Sequence, residues 1–503
     1  MQYVRPGFAY FMGAVLFLRV LHYSWVTDDA FITFRYVINF VSGDGPVFNI
    51  GERVQGFTHP LWFMLLSLGG FLDLNLYFFS IILGLIFTGL TIGALFFLNK
   101  KLNGDNYTAL ILTFGFLAAS ESFVSFATSG LENSLTYFLV LATIIMPQIT
   151  SRRLPFYLLI SLTLLNRFDT IFFLAPLFVL VSYTDWRKNF FRLKIFVVGA
   201  LPLASWHLFS IVYYGFFFPN TRYAKIGGRP FLVNLESGLH YLFDSMQTDL
   251  HIWILVVLFP ILMLFAKNSR LLTVNHSHIL TALYAGIILH IIYVVLISGG
   301  DFMRGRFFTI VTLCASVGLL HFRFSARQFS NASTLVLCAG VLVVLAWIGA
   351  TEHVWWKARL VVNERDAYKE YLALNLAPEM NYTNHRWALE ARKHPASETG
   401  RLRMSGQIGY WIPRQVKVID KIGLTDAFIA RSPVINFRRT GHIKHYIPDE
   451  YLQIKIERRK ITEWTNKDAQ ELYEKVKIVT ESPTLFSFKR LKAMFWLWRH
   501  HGF

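Results

Sequence analysis

Cysteine is almost absent: the 503 residues hold two, Cys314 and Cys338, and both fall inside apolar runs. That excludes a disulfide framework and a thiolate metal site as organising principles. Charge is scarce as well. Asp, Glu, Lys and Arg make up 16% of the chain, against about a quarter in ordinary soluble domains. Acids are the rarer sign, 31 against 49 Lys and Arg, which leaves a formal net charge of +18. No segment repeats at a fixed period and no low-complexity linker divides the chain, which sets aside solenoids and bead-like arrays. No small-residue cleavage site follows the first apolar stretch at 7–25, so it reads as a spanning helix and not as a removable signal.

Apolar residues fill the space, at 54% of the chain, with 17% aromatic. Runs such as LYFFSIILGLIFTGLTIGALFFL at 76–98 reach the roughly 20 residues that cross a bilayer core. The expected spans are 7–25, 76–98, 107–124, 131–148, 154–167, 170–183, 195–214, 251–266, 277–297, 307–320 and 333–350. Basic clusters separate them at Arg5, Lys100-Lys101, Arg152-Arg153, Arg187 to Lys194, Lys267 and Arg270, and Arg323 and Arg327. Assigned to the cytoplasm, these clusters let the spans alternate without conflict. They also account for the high net charge without nucleic acid as a partner. The composition turns polar and basic after 351. The expectation is an all-α polytopic membrane domain over 1–350 with about eleven transmembrane helices. A C-terminal extracytoplasmic α/β domain over 351–503 follows it, the N-terminus being cytoplasmic. The protein is placed in a bacterial inner membrane.

The opposite loops then face outward. The first, at 26–75, carries Ala30, Phe31, Phe34, Val37, Ile38 and Val41 at helical spacing, so 29–42 is an amphipathic helix on the membrane surface, ended by Gly43, Gly45 and Pro46. A second interfacial helix fits 60–72. In the tail, 417–431 reads as a strand, a turn at Gly423 and a short helix, and 457–477 turns helical toward its end.

Asp28 and Asp29 open the amphipathic helix. One of them can simply cap it, but the dipole and free N–H groups of a helix start keep carboxylates ionised, as a general base requires. Arg35 lies two turns on. Arg304 and Arg306 stand beside Asp301 in SGGDFMRGRFF, and Asn220, Arg222, Tyr223 and Lys225 stand in PNTRYAK. Cations collected on the outer face suit a phosphate at headgroup level, beside the plainer reading of lipid contact. Glu132, Arg167 and Asp169 lie on other outer loops, where Arg167 and Asp169 can pair with each other. His59 and Asn220 sit beside prolines, where turn roles compete with substrate contact.

The run DDAFITFRY…GDGPVFNIGERVQGFTHPLW, with SGLE (129–132), NRFD (166–169), PNTRYAK (219–225), GGDFMRGRF (299–307) and IDKIGLTDAFIAR (419–431), resembles the mycobacterial terminal arabinofuranosyltransferase family. These are membrane-embedded C-type glycosyltransferases, and the ordered blocks cover most of the chain. The resemblance implies Asp28 as the essential acid of the first outer loop, with Asp29 second. It implies a sugar donor on a polyprenyl monophosphate, D-arabinofuranose as the sugar, and basic residues at the phosphate. One block departs from the family pattern: NRFD stands where Arg-Pro and an acid are usual, so Asp169 takes no assigned role.

The reading is a glycosyltransferase with Asp28 or Asp29 catalytic and Arg35, His59, Glu132, Arg167, Asn220, Tyr223, Lys225, Asp301, Arg304 and Arg306 around the donor and substrate. The lipid-linked sugar is a substrate; no cofactor and no divalent metal are expected. Membrane lipids and an extracytoplasmic glycan or protein such as a pilin are the expected partners. A transporter or flippase of lipid-linked sugars is the rival from another class. It would place its charges near the bilayer midplane and often show inverted repeats.

Overall fold

The computed structural model describes residues 6–188, 192–227, 229–269, 277–322, 361–368, 382–437 and 440–500. The expected span at 333–350, Cys338 and the cluster at Arg323 and Arg327 lie outside them. Helices dominate. Among the described residues four are long and apolar enough to cross a membrane: Leu76–Asn103, Phe168–Arg187, Leu193–Tyr213 and His278–Ser298. A fifth arises if Phe231–Thr248 and Leu250–Leu264, bent by 102° at their junction, count as one broken span. The other stretches expected to span form shorter apolar helices, among them Pro6–His22, Thr108–Ala119, Asn133–Ile149, Leu154–Asn166 and Arg306–His321. Such helices have 10–17 residues and rise roughly 15–26 Å, short of a hydrocarbon core of about 30 Å. The chain is thus a helical membrane protein, but among the described residues fewer helices reach bilayer thickness than the eleven expected spans.

Contacts group the chain into two compact units. The first comprises Met1–Ser24, Ile81–Pro202 and Leu235–Asn363. Within it, Ser277–Ile292 packs on Ile171–Arg187, Asn133–Ile149 on Leu154–Asn166, and Pro6–His22 on Thr108–Ala119. Leu16, Leu110, Phe114, Val140, Ile144, Phe156, Ile287 and Val311 belong to one continuous core. The helix Thr309–Gly318 buries every one of its residues. Thr113 Oγ1 donates to Ser316 O of this helix at 3.0 Å, tying it to Thr108–Ala119.

The second unit comprises Trp25–Ser80, Leu203–Asn234 and Glu364–Phe503. It joins the loop after the first helix to the tail. The amphipathic helix expected at 29–42 is Asp28–Val41, and Pro60–Phe71 follows with proline in its first turn. Strand Gly400–Arg403 pairs in parallel with Lys417–Asp420, and Val434–Asn436 pairs antiparallel with Lys444–His445. Helices Asp449–Glu457, Lys467–Glu481 and Phe488–Arg499 complete it. Strand, turn and short helix at 417–431 appear where the sequence placed them, with Gly423 at φ +77° in the turn and a 3-10 turn at Ile429–Arg431.

Polar side chains tie this loop to this tail. Asn49 Nδ2 donates to Val418 O at 3.0 Å while its Oδ1 accepts from Val418 N at 2.9 Å, so one side chain pairs with a strand residue as another strand would. Glu52 pairs with Lys417 at 2.6 Å and Lys455 at 2.9 Å, and Lys455 also reaches Glu481 at 2.7 Å. These cations hold the buried Glu52 carboxyl down at about 2 against the upward push of burial.

Candidate active site

The helix Asp28–Val41 follows an extended Thr27, and its first N–H groups have no acceptor within the helix. Glu364 meets one of them: Asp28 N–H donates to Glu364 Oε1 at 3.0 Å. The Asp28 side chain turns the other way, where Oδ1 accepts from Gln407 N–H at 2.7 Å. A Cβ on Gly406 would come within 1.8 Å of Asp28 Oδ2, so only glycine lets that turn approach the carboxylate. Asp28 is therefore held by its own helix, by residue 364 and by the turn at 406–407.

Electrostatics make this carboxyl unusual. Burial lifts Asp28 to about 7; the Gln407 hydrogen bond opposes the lift, and the charge of Asp29 adds to it. Burial, then Asp29 and Asp28, push Glu364 up to about 8. Asp420 is lifted by burial to about 6, its oxygens accepting from Thr425 N at 3.0 Å and Ile422 N at 3.3 Å. The expectation that the helix start keeps Asp28 fully ionised is thus corrected: desolvation and like charge outweigh the dipole. What results is a carboxyl that exchanges its proton near neutral pH, the range a general base uses.

The other expected residues of this unit turn inward. Arg35 is 1% exposed and donates to Phe48 O at 3.0 Å, Ile412 O at 2.9 Å, Val416 O at 3.1 Å, Arg414 O at 3.4 Å and Gly409 O. All five donors of the guanidinium, expected at a phosphate, are engaged by carbonyls in this structure, where Arg35 clamps backbone. Asn220 Nδ2 reaches the carbonyls of Gly423, Leu424 and Asp426 at 2.7, 3.2 and 3.1 Å, and its Oδ1 accepts from Arg431 at 3.0 Å. These bonds close a turn, the role that the neighbouring proline offered beside substrate contact. Tyr223 lies with its ring 4.1 Å from the Arg431 guanidinium. His59 Nε2 bonds Thr33 Oγ1 at 2.8 Å and caps no helix N–H. Lys225, half-buried in the last turn of Asn220–Ile226, and the exposed Arg222 have no carboxylate partner among the described residues.

In the first unit the expected residues come together as a buried charge network. Arg167 forks onto Asp169, Nε to Oδ1 at 2.9 Å and Nη2 to Oδ2 at 3.0 Å, and reaches Glu132 at 3.4 Å. Arg306 holds Glu132 at 3.0 Å and lies 3.7 Å from Asp301. Arg167 also stacks over Phe307 at 4.7 Å. Arg304 forks onto Asp244, both bonds at 3.2 Å. Three carboxylates, Glu132, Asp169 and Asp301, face two guanidinium groups here, with one negative charge in excess. The charges of Arg304 and Arg306, expected at a phosphate, are met here by Asp244, Glu132 and Asp301. The pairing of Arg167 with Asp169 is as the sequence allowed.

Glu364 and Gln407 were not foreseen. Nothing in VVNERDAY marks Glu364, and Gln407 acts through its backbone, which no sequence pattern displays.

No family model matches the chain. It is 26% identical over 525 aligned positions to a terminal β-(1→2)-arabinofuranosyltransferase of Mycobacterium tuberculosis (strain ATCC 25618 / H37Rv), covering 84% of this chain and 81% of that one. It is 24% identical over 511 positions to a protein of the same name from Corynebacterium glutamicum, covering 84% and 73%. The resemblance to this family runs through both units.

Proposed function

We propose, from the resemblance to terminal arabinofuranosyltransferases along most of the chain, that this protein is a membrane glycosyltransferase. Its donor is D-arabinofuranose on a polyprenyl monophosphate, and its acceptor is a glycan outside the cytoplasm. The observation that carries the reading is Asp28, fixed by Gln407 N–H and poised at about 7 beside Glu364. A carboxyl so held suits removal of a proton from an acceptor hydroxyl.

In the reaction the acceptor oxygen attacks the anomeric carbon and gives its proton to the Asp28 carboxylate. The bond from that carbon to the phosphate oxygen breaks, and its electron pair leaves with the polyprenyl phosphate. Asp29 keeps the local field negative and supports positive charge on the sugar ring as the bond loosens. Lys225 and Arg222, two neighbouring cations of the helix Asn220–Ile226, are the groups assigned to the phosphate. A lipid donor agrees with a site on the extracytoplasmic side, since nucleotide sugars are confined to the cytoplasm.

The test is transfer by the purified protein from a short-chain polyprenyl-phosphoryl arabinofuranose to an oligosaccharide ending in arabinofuranose. Labelled product is expected. Transfer only from another lipid-linked sugar would keep the mechanism and discard arabinose. No transfer from any lipid-linked sugar would reject the enzyme reading.

A further inference from the structure

Residues 482–503 contain no Asp or Glu, while Lys489, Arg490, Lys492 and Arg499 all fall among them. The helix Phe488–Arg499 sorts this segment into two faces. Arg490, Ala493, Met494 and Leu497 are buried against the second unit. Phe488, Leu491, Phe495 and Trp498, spaced by three, four and three, form the opposite stripe and are 73%, 45%, 55% and 38% exposed. Phe486, just before the helix, is 81% exposed. Lys489, Lys492 and Arg499 are exposed beside the stripe. Aromatic side chains in such a row are not left to water without cause.

The buried face shows at what level the helix sits. Arg490, 1% exposed, donates from Nη1 to Val212 O at 2.7 Å and from Nη2 to Tyr213 O at 2.9 Å. Trp498, at the edge of the exposed stripe, donates from Nε1 to Gly215 O at 2.9 Å. Val212 and Tyr213 end the helix Leu193–Tyr213, one of the four long and apolar enough to cross a membrane. Its last carbonyls lack partners within the helix, and Arg490 supplies them. Gly215, at φ +87°, permits the approach: a Cβ there would come within 2.4 Å of Val479 and 3.4 Å of Met494. Leu208, on the same spanning helix, is 65% exposed, as a lipid-facing residue would be. The helix Phe488–Arg499 is thus fastened to the point where a membrane span ends.

We propose that the helix Phe488–Arg499 lies in the headgroup layer of the bilayer, its Phe488–Trp498 stripe among the upper acyl chains and its lysines on anionic phospholipid headgroups. The position at a span's end, the aromatic stripe and the absence of any acid over 482–503 each match that environment. An acid-free basic rim complements a negatively charged lipid surface without needing a protein partner's shape. The inference does not depend on the transferase reading.

The test uses the full chain with Cys314 and Cys338 changed to Ala and a polarity-sensitive fluorophore at Phe495→Cys, or at Glu474→Cys as an exposed control. Each protein is reconstituted one copy per nanodisc, in phosphatidylcholine with or without phosphatidylglycerol. A lipid quencher carried near the headgroup should quench position 495 at least about threefold more than position 474, and iodide should do the reverse. Lys489→Glu with Lys492→Glu should reduce lipid quenching at 495 in the phosphatidylglycerol discs. Equal access of iodide to both positions would overturn the proposal. Protection of 495 that appears only when two copies share a disc would also overturn it, by assigning the stripe to a second copy.

Discussion

Arg306 and Glu132 meet at 3.0 Å with both side chains buried, 174 residues apart in sequence. Breaking such a pair leaves a charge without its partner in a medium that solvates it poorly, which costs about 3–5 kcal/mol. Arg306→Met should therefore lower the detergent melting temperature sharply, and Glu132→Gln added to it should restore part of the loss. If Arg306→Met melts like the unchanged protein, the network is not an internal one and the phosphate role for Arg306 returns. The carboxyls at Asp28 and Glu364 make a second prediction. An acid raised in the folded state gives up its proton only as pH rises, so transfer should increase with pH through about 7 to 8. The same protons, held in the fold but released from the unfolded chain above its ordinary values of 3.8 and 4.5, make stability fall from there up to about 7 and about 8. Glu364→Gln keeps an acceptor for the Asp28 N–H and removes a carboxyl that ionises above Asp28. Its rate profile should keep the rise through about 7 and lose any further change through about 8. An unmoved profile would separate Glu364 from the proton chemistry. The sequence displayed Asp28 because a helix start after an apolar span is a local pattern. Glu364 stands 336 residues away, and no local pattern reports that distance.

At the scale of elements, periodicity and punctuation carried most of the information. The amphipathic spacing at 29–42 gave the helix Asp28–Val41, and Gly423 gave the turn after Lys417–Asp420. Basic residues were harder to assign, because the sequence gives an arginine's charge but not its neighbours. Arg35 faces carbonyls at 409, 412, 414 and 416, and Arg490 those at 212, 213, 479 and 485. Each acts as a clamp that fixes irregular backbone to a helix. Lysine has neither the planar fork nor the number of donors. Arg35→Lys should thus loosen the segment 405–417 and speed its cleavage by a protease at least about tenfold, while the thermal transition of the protein falls by a few degrees. Cleavage at the unchanged rate would mean that the carbonyls find other donors and that Arg35 is no clamp.

At the scale of the molecule, scarcity of charge and long apolar runs made the membrane legible. The grouping of residues 25–80 with 364–503 was not legible, because side-chain bonds such as Asn49 to Val418 create it. Alternating basic loops predict the topology: a reporter inserted after Lys101 should be active in the cytoplasm, and one fused after Phe503 should be active outside. The opposite pattern would move the proposed site to the wrong side for a lipid-linked donor. The measurement closest to the central claim is the turnover of Asp28→Asn with polyprenyl-phosphoryl arabinofuranose. Asparagine keeps the size of the side chain and an acceptor for Gln407 N–H but cannot take a proton. The account predicts a rate lower by about a hundredfold or more, with the melting temperature little changed. Transfer by Asp28→Asn at close to the unchanged protein's rate would contradict it.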